Sequence, residues 1–168
     1  GKKLRSLQER IQSVSLIHEQ LSSTGEVGQL DFSVYVKDLV ANLFFSTDLD
    51  EGQVKWEVAI PPTILSIKQA LPLGIIINEI VTNSLKYAFP DNRPGTIRIK
   101  MEKQGTEYIL TIEDDGVGSA GADKNDSSGL GKIIIASLVD QLEGKLQAMQ
   151  EADLDSKQGT GYRITIPV

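Results

Sequence analysis

Between Pro72 and Pro90 runs an unbroken helical pattern whose two sides differ in character. Leu73, Ile76, Ile77, Ile80 and Ala88 recur on one face, whereas Glu79, Asn83 and Lys86, within the stretch "NEIVTNSLKYAF", share a narrow arc on the other. Pro72 suits the first turn of such a helix, and Pro90 stops it near Ala88. The apolar face needs a core to lie on, and a carboxylate, an amide and an ammonium then look outward together.

The surrounding pattern supplies that core. Leu4, Leu7, Ile11, Val14 and Leu21 alternate at steps of three and four, with His18 in the one missing seam position, which predicts a coiled-coil or hairpin helix. "SSTGEVGQ" breaks it and divides an N-terminal helical arm, residues 1–24, from a globular part, residues 25–168. Asp31 is placed to cap a second helix with the stripe Val36, Leu39, Val40 and Leu43, ending near Thr47. "VKWEVAI" alternates as a half-buried strand closed by "IPP". "TIRIKME" and "EYILTIE", joined by "KQGT", predict a hairpin. After a glycine-rich stretch, Ile134, Leu138 and Leu142 mark another helix, and "KLQAMQ" and "YRITIPV" a closing strand pair. Hairpins rather than strict strand-helix alternation predict an α+β two-layer sandwich: a mixed, mostly antiparallel sheet with helices on one face.

Composition removes several function classes. Seventeen basic residues are scattered among 23 acidic ones and the net charge is -6, so no basic stripe is offered to nucleic acid. The chain has no cysteine and one histidine, which excludes disulfides, thiolate catalysis and zinc-thiolate sites. The longest apolar runs are too short to span a bilayer, so no membrane contact is expected.

Three glycine-containing stretches can carry chemistry, although each also suits an ordinary turn or helix start. In "DDGVG", residues 114–118, the glycines let backbone approach a ligand closely, and the carboxylate before them can accept from an exocyclic amine. "GLG", residues 129–131, stands directly before a predicted helix, where free amides and the helix dipole favour phosphate oxygens. "GTGY", residues 159–162, opens the last strand with the Thr160 hydroxyl free to donate.

Taken in order, "NEIVTNSLKYAFP", "DDGVG", "GLG" and "GTGYRI" resemble the N, G1, G2 and G3 boxes of the GHKL, or Bergerat-fold, ATP-binding superfamily. "RIQSVSLIHEQL" followed by "DFSVYVKDLVANLF" is similar to the region joining the phosphoacceptor hairpin to the ATPase domain in HWE-like, LOV-type sensor histidine kinases. The resemblance spans nearly the whole chain. It implies ATP and Mg2+ as ligands, with Asn83 holding the metal and Glu79 acting as general base. Lys86 would reach the phosphates, Tyr87 would flank the adenine, and Asp114 would receive its amino group between Gly116 and Gly118. Residues 119–128 would form a polar lid, with Gly129, Leu130, Gly131 and Lys132 at its hinge and phosphate contacts, and Thr160 would complete the site. Phosphoryl transfer is mostly positioning and charge neutralisation, so such an assembly is chemically sufficient for its nucleotide half.

The sequence departs from the family in two places. Lys132 stands where leucine is usual, and a phosphoacceptor stretch like "HHRVKNN" is missing, so the chain is expected to begin after that helix. His18 lies in the apolar seam between Val14 and Leu21 and is read as structural. The implied activity is ATP-dependent histidine phosphorylation for onward transfer to a response-regulator aspartate. The implied partners are the protein's own phosphoacceptor hairpin, a response regulator and a second copy in a homodimer, in the cytoplasm. The alternatives are an anti-sigma-type serine kinase, which the heptad helix disfavours, and a nucleotide-binding interaction module without transfer activity.

Overall fold

The computed structural model describes residues 28–49, 52–118 and 129–168, together with Gln8, Ile11 and Ser15, which are helical. Most of the predicted arm, including His18, and the predicted lid, residues 119–128, lie outside the described residues.

Asp31 begins helix α1 (Phe32–Phe45), as expected: its carboxylate accepts from the Ser33 amide at 2.9 Å and the Ser33 hydroxyl at 2.8 Å. Phe32, Tyr35, Val36, Leu39, Val40 and Leu43 form its buried face. Two strands that no periodicity announced flank this region: β1 (Gln29–Asp31) and β3 (Ile64–Ser66) pair antiparallel, with Leu30 opposite Leu65. Between them comes β2 (Val54–Ala59), the predicted alternating strand.

The long helix, α2 (Ile67–Tyr87), corrects one expectation. Pro72 lies inside it rather than in its first turn, because Ile67 to Leu71 already build a turn that enters directly from β3. Proline there has no amide for the carbonyl one turn back, and the helix continues because its apolar face is held by the core. Leu73, Ile76, Ile77, Ile80 and Val81 are all buried. At Gly74 an added Cβ would overlap the Tyr35 hydroxyl, so glycine is what lets α1 press an aromatic ring onto α2.

Strands β4 (Gly95–Gln104) and β5 (Glu107–Asp114) form the predicted hairpin. They are followed by α3 (Leu130–Gln141), β6 (Lys145–Ala148), a short 3-10 turn at Glu151–Asp153 and β7 (Thr160–Pro167). The main sheet has the order β2-β4-β5-β7-β6. Only β2 and β4 run parallel; the other neighbours are antiparallel, which agrees with the predicted mixed, mostly antiparallel α+β sandwich.

Alternation along the strands sorts the two faces of the sheet. Ile97, Ile99, Leu110, Ile112, Ile164 and Ile166 are buried in the core beneath the helices. The opposite face carries Glu57, which pairs with Arg98 at 3.1 Å, and Lys100, which pairs with Asp155. Across this rear face runs a strap, residues 149–158, anchored by the fully buried Leu154 and by the Asp155 amide, which donates to Glu113 Oε2 at 3.1 Å.

Candidate functional site

The outward arc of α2 supplies the first wall of the site. Asn83 and Lys86 are exposed and Tyr87 is half-buried, but Glu79, one turn before Asn83, is only 8% exposed. It sits low between α2 and the first turn of α3. An added Cβ on Gly131 would stand 3.4 Å from Glu79 Oε2 and 4.0 Å from Asn83 Nδ2. The fold thus joins two segments about fifty residues apart, the helix of "NEIVTNSLKYAF" and the start of "GLGK".

The start of α3 differs slightly from the sequence reading. Gly129 is the cap and Leu130 and Gly131 are already helical, so the second glycine stands inside the first turn rather than before it. Gly129 has no side chain to cap this end, and among the described residues no side-chain cap hydrogen bond is made there, so first-turn amides can face an anionic ligand. Lys132, in the same turn, is exposed.

Asp114 forms the second wall. It ends β5 facing the helices, 3% exposed, and three donors converge on it. Oδ1 accepts from the Gly116 amide at 3.1 Å and the Thr160 amide at 3.2 Å, and Oδ2 accepts from the Ser84 hydroxyl at 2.7 Å. Burial pushes this carboxyl above the ordinary carboxylate range, with Asp115 adding to the rise, against the pull of Ser84 and the two amides. Tyr162, on the same face of β7, is in turn raised by burial and by Asp114.

Backbone contacts fix the loop around this carboxylate. The Val117 amide donates to the Ala88 carbonyl at 2.9 Å, and an added Cβ on Gly116 would overlap that carbonyl, so the loop is stitched to the end of α2. Gly118 has φ +74, a conformation that favours glycine. Thr160 takes part through its amide, where the sequence reading pointed to its hydroxyl.

The structure also brings in two residues that stand within the quoted motifs but have no role assigned there. Ser84 is the side-chain donor to Asp114, and its position on the core side of α2, directly after Asn83, was the available signal. Gly159 has φ +104 and an added Cβ would overlap the Asp114 carbonyl oxygen, so β7 can pass this close only as glycine.

An anion-accepting helix start, an outward amide beside a buried carboxylate and a clasped acceptor can together hold a nucleotide. Magnesium usually keeps several waters and takes phosphate oxygens as ligands, so the exposed Asn83 amide oxygen suits it as a single protein ligand. Among the described residues no cluster of three or more His, Cys, Asp or Glu side chains offers an all-protein metal site.

Residues 68–168 match the family of histidine kinase-, DNA gyrase B- and HSP90-like ATPases. The chain belongs to this family. Domains of this family bind ATP; in this chain Gly116 packs against Ala88 at the end of α2, and Gly131 lies beside Glu79 and Asn83. Residues 1–47 match a second family, described as histidine kinase.

Relatives of this ATPase family member agree in fold. The chain is 23% identical over 172 residues to blue-light-activated histidine kinase 2 of Erythrobacter litoralis, covering 100% of this chain and 48% of that protein. It therefore spans about half the length of that relative. The histidine kinase domain of an Erythrobacter litoralis blue-light activated histidine kinase superposes with a TM-score of 0.77 at 23% identity, over 96% of this chain and 74% of that one. The mycobacterial sensor histidine kinase MprB superposes with a TM-score of 0.65 at 20% identity, over 83% and 97%. A shorter match, 28% identical over 78 residues, 40% of this chain and 54% of the other, is to an anti-sigma F factor of Clostridium kluyveri.

Proposed function

We propose that this chain is the catalytic, ATP-binding part of a sensor histidine kinase, using Mg2+ and passing the γ-phosphoryl group of ATP to a histidine for onward transfer to a response-regulator aspartate. The observation that carries the reading is the approach of Gly131 to Glu79 and Asn83, which gathers phosphate-binding amides, a metal ligand and a base.

In this reading Asp114 Oδ2 accepts the adenine amino group while the Gly116 and Thr160 amides hold Oδ1. Tyr87 flanks the base and Gly118 shapes the adjoining turn. Bound magnesium supplies charge neutralisation at the phosphate oxygens, with Asn83 as its protein ligand. Lys86, Lys132 and the amides from Gly129 to Gly131 hold the phosphates in line. Glu79 accepts the proton from the other ring nitrogen of the imidazole as the attacking nitrogen's lone pair forms its bond to phosphorus and the bond from phosphorus to the ADP oxygen breaks.

The partner surfaces follow from α3 and the arm. Leu130 and Ile133 are 53% and 66% exposed, an apolar pair at helical spacing that suits docking of the phosphoacceptor hairpin. Ile11, a seam residue of the arm, is also exposed, as a residue that packs in a homodimer would be. No helix among the described residues is long and apolar enough to cross a membrane. A site that uses ATP would work on the cytoplasmic side, where ATP is supplied.

The partial likeness to an anti-sigma F factor supports a second reading, a serine kinase. The histidine kinase match of residues 1–47 favours the first. Calorimetric titration with ATP, with and without magnesium, tests the site: binding should strengthen with magnesium, and should lose that response in Asn83→Ala. Absence of binding in every form would sink the proposal. Labelling a separately supplied hairpin from ATP then separates the readings, because phosphohistidine is lost in acid and phosphoserine is kept.

A further inference from the structure

Asp114 is held by more than base recognition demands. A carboxylate this deeply buried keeps its charge only if donors replace the lost water. Two of its three donors, the amides of Gly116 and Thr160, belong to the backbone and are set by the turn and by β7. The third, the Ser84 hydroxyl at 2.7 Å, is among the described residues the one donor supplied by a side chain.

The distribution of these donors gives each oxygen a separate task. Oδ1 takes both amides, so its lone pairs are occupied by the protein. Among the described residues Oδ2 takes only Ser84, which leaves one acceptor direction for a ligand. A 6-amino purine offers a hydrogen there. A 6-oxo purine offers a lone pair, which an ionised carboxylate repels and a carboxylic acid can satisfy. The protonation state of Asp114 therefore decides which purine fits.

We propose that Ser84 is a positioning residue that keeps Asp114 ionised and Oδ2 aimed as an acceptor, and so sets the preference for 6-amino over 6-oxo purine nucleotides. The proposal rests on the nucleotide reading above. Ser84 is itself buried on α2, which limits competition from water for its hydroxyl. The charged group that bears on Asp114 from its own segment is Asp115, and the titratable group facing it from β7 is the Tyr162 phenol. Ser84 from α2 and Ile97, its neighbour across β4, carry no charge.

The test uses the full chain and two readouts. ATP and GTP affinities are measured by calorimetry from pH 5 to 8 for the unaltered protein, Ser84→Ala and Ser84→Thr. The Asp114 carboxyl is titrated by carbon NMR in the nucleotide-free proteins. Ser84→Ala should move the carboxyl midpoint up by roughly one pH unit. The pH at which ATP affinity falls should rise with it, and the preference for ATP over GTP at mildly acidic pH should shrink by roughly tenfold. Ser84→Thr, which keeps the hydroxyl, should return both towards the unaltered values. ATP binding with an unmoved midpoint in Ser84→Ala would overturn the proposal alone. If the unaltered protein bound no ATP, the nucleotide reading and the purine preference would fall together, and the carboxyl titration would show separately whether Ser84 governs Asp114.

Discussion

Gly131 stands so close to Glu79 that an added Cβ would lie 3.4 Å from its Oε2, although no steric or backbone constraint of the fold demands glycine there. Gly131 is helical and its φ is not positive, so alanine would raise helix propensity by up to about 1 kcal/mol. Gly131→Ala should therefore melt at the same or a higher temperature. The extra methyl crowds the space assigned to phosphate, and ATP affinity should fall roughly tenfold. Thermal melting beside ATP titration checks both; a lower melting temperature with unchanged affinity would contradict the assignment.

Gly159 is the opposite case. Its φ of +104 and the overlap of an added Cβ with the Asp114 carbonyl leave alanine no relaxed position. Gly159→Ala should cost about 2–3 kcal/mol of stability and displace the Thr160 amide from Asp114. Urea denaturation measures the first effect, and loss of ATP binding reports the second.

Asp114→Asn should separate binding from stability. Burial raises the Asp114 pKa in the fold above its ordinary value of 3.8, so the folded protein binds this proton more tightly than the unfolded chain does. Ionisation accordingly opposes folding: the penalty is absent well below 3.8, grows as pH rises through the folded pKa and is complete above it. Asparagine can still accept from both amides and donate to Ser84. The variant should be more stable than the unaltered protein at pH 7, with the difference vanishing towards acid, and its ATP affinity should drop roughly 100-fold. Denaturation curves at several pH values, beside ATP titration, test the pair.

Asp31 carries the reverse slope. Burial pushes its carboxyl up, but the Ser33 hydroxyl and amide and the Thr63 amide outweigh it, and the net shift is downward. Its stabilisation is present above the unfolded pKa and is lost as pH falls through the folded one. Asp31→Ala should cost about 1 kcal/mol at neutral pH through the lost helix cap, and less in acid. Urea titration at two pH values would expose a cap without this dependence.

Much of this architecture could be read from local pattern. The alternation of Val54, Trp56 and Val58, the turn at Gly105 and the cap at Asp31 each act within a few residues, so sequence reasoning reaches them. β1 and β3 escape it because three residues hold no periodicity, and their pairing of Leu30 with Leu65 is a tertiary fact. Pro72 draws the predicted helix start forward because proline is favoured in a first turn, whereas the entry from β3 sets the real one. In the site, Asp114 and Gly116 stand in a recognisable motif. The Ser84 contact does not, because its partner lies 30 residues further along.

Glu113 and Asp114 are consecutive in β5 and therefore point to opposite faces of the sheet. The rear carboxylate is held by the strap through the Asp155 backbone amide, and the strap's Gln158 side-chain Nε2 donates to the Gly116 carbonyl at 3.2 Å. None of these bonds involves a ligand. In the proposed reading, where Asp114 faces the base, the conformational freedom of that wall is already lost when the chain folds, so a purine docking against it would cause little further ordering there. On that reading, affinity on this side would reflect contacts rather than ordering of the chain.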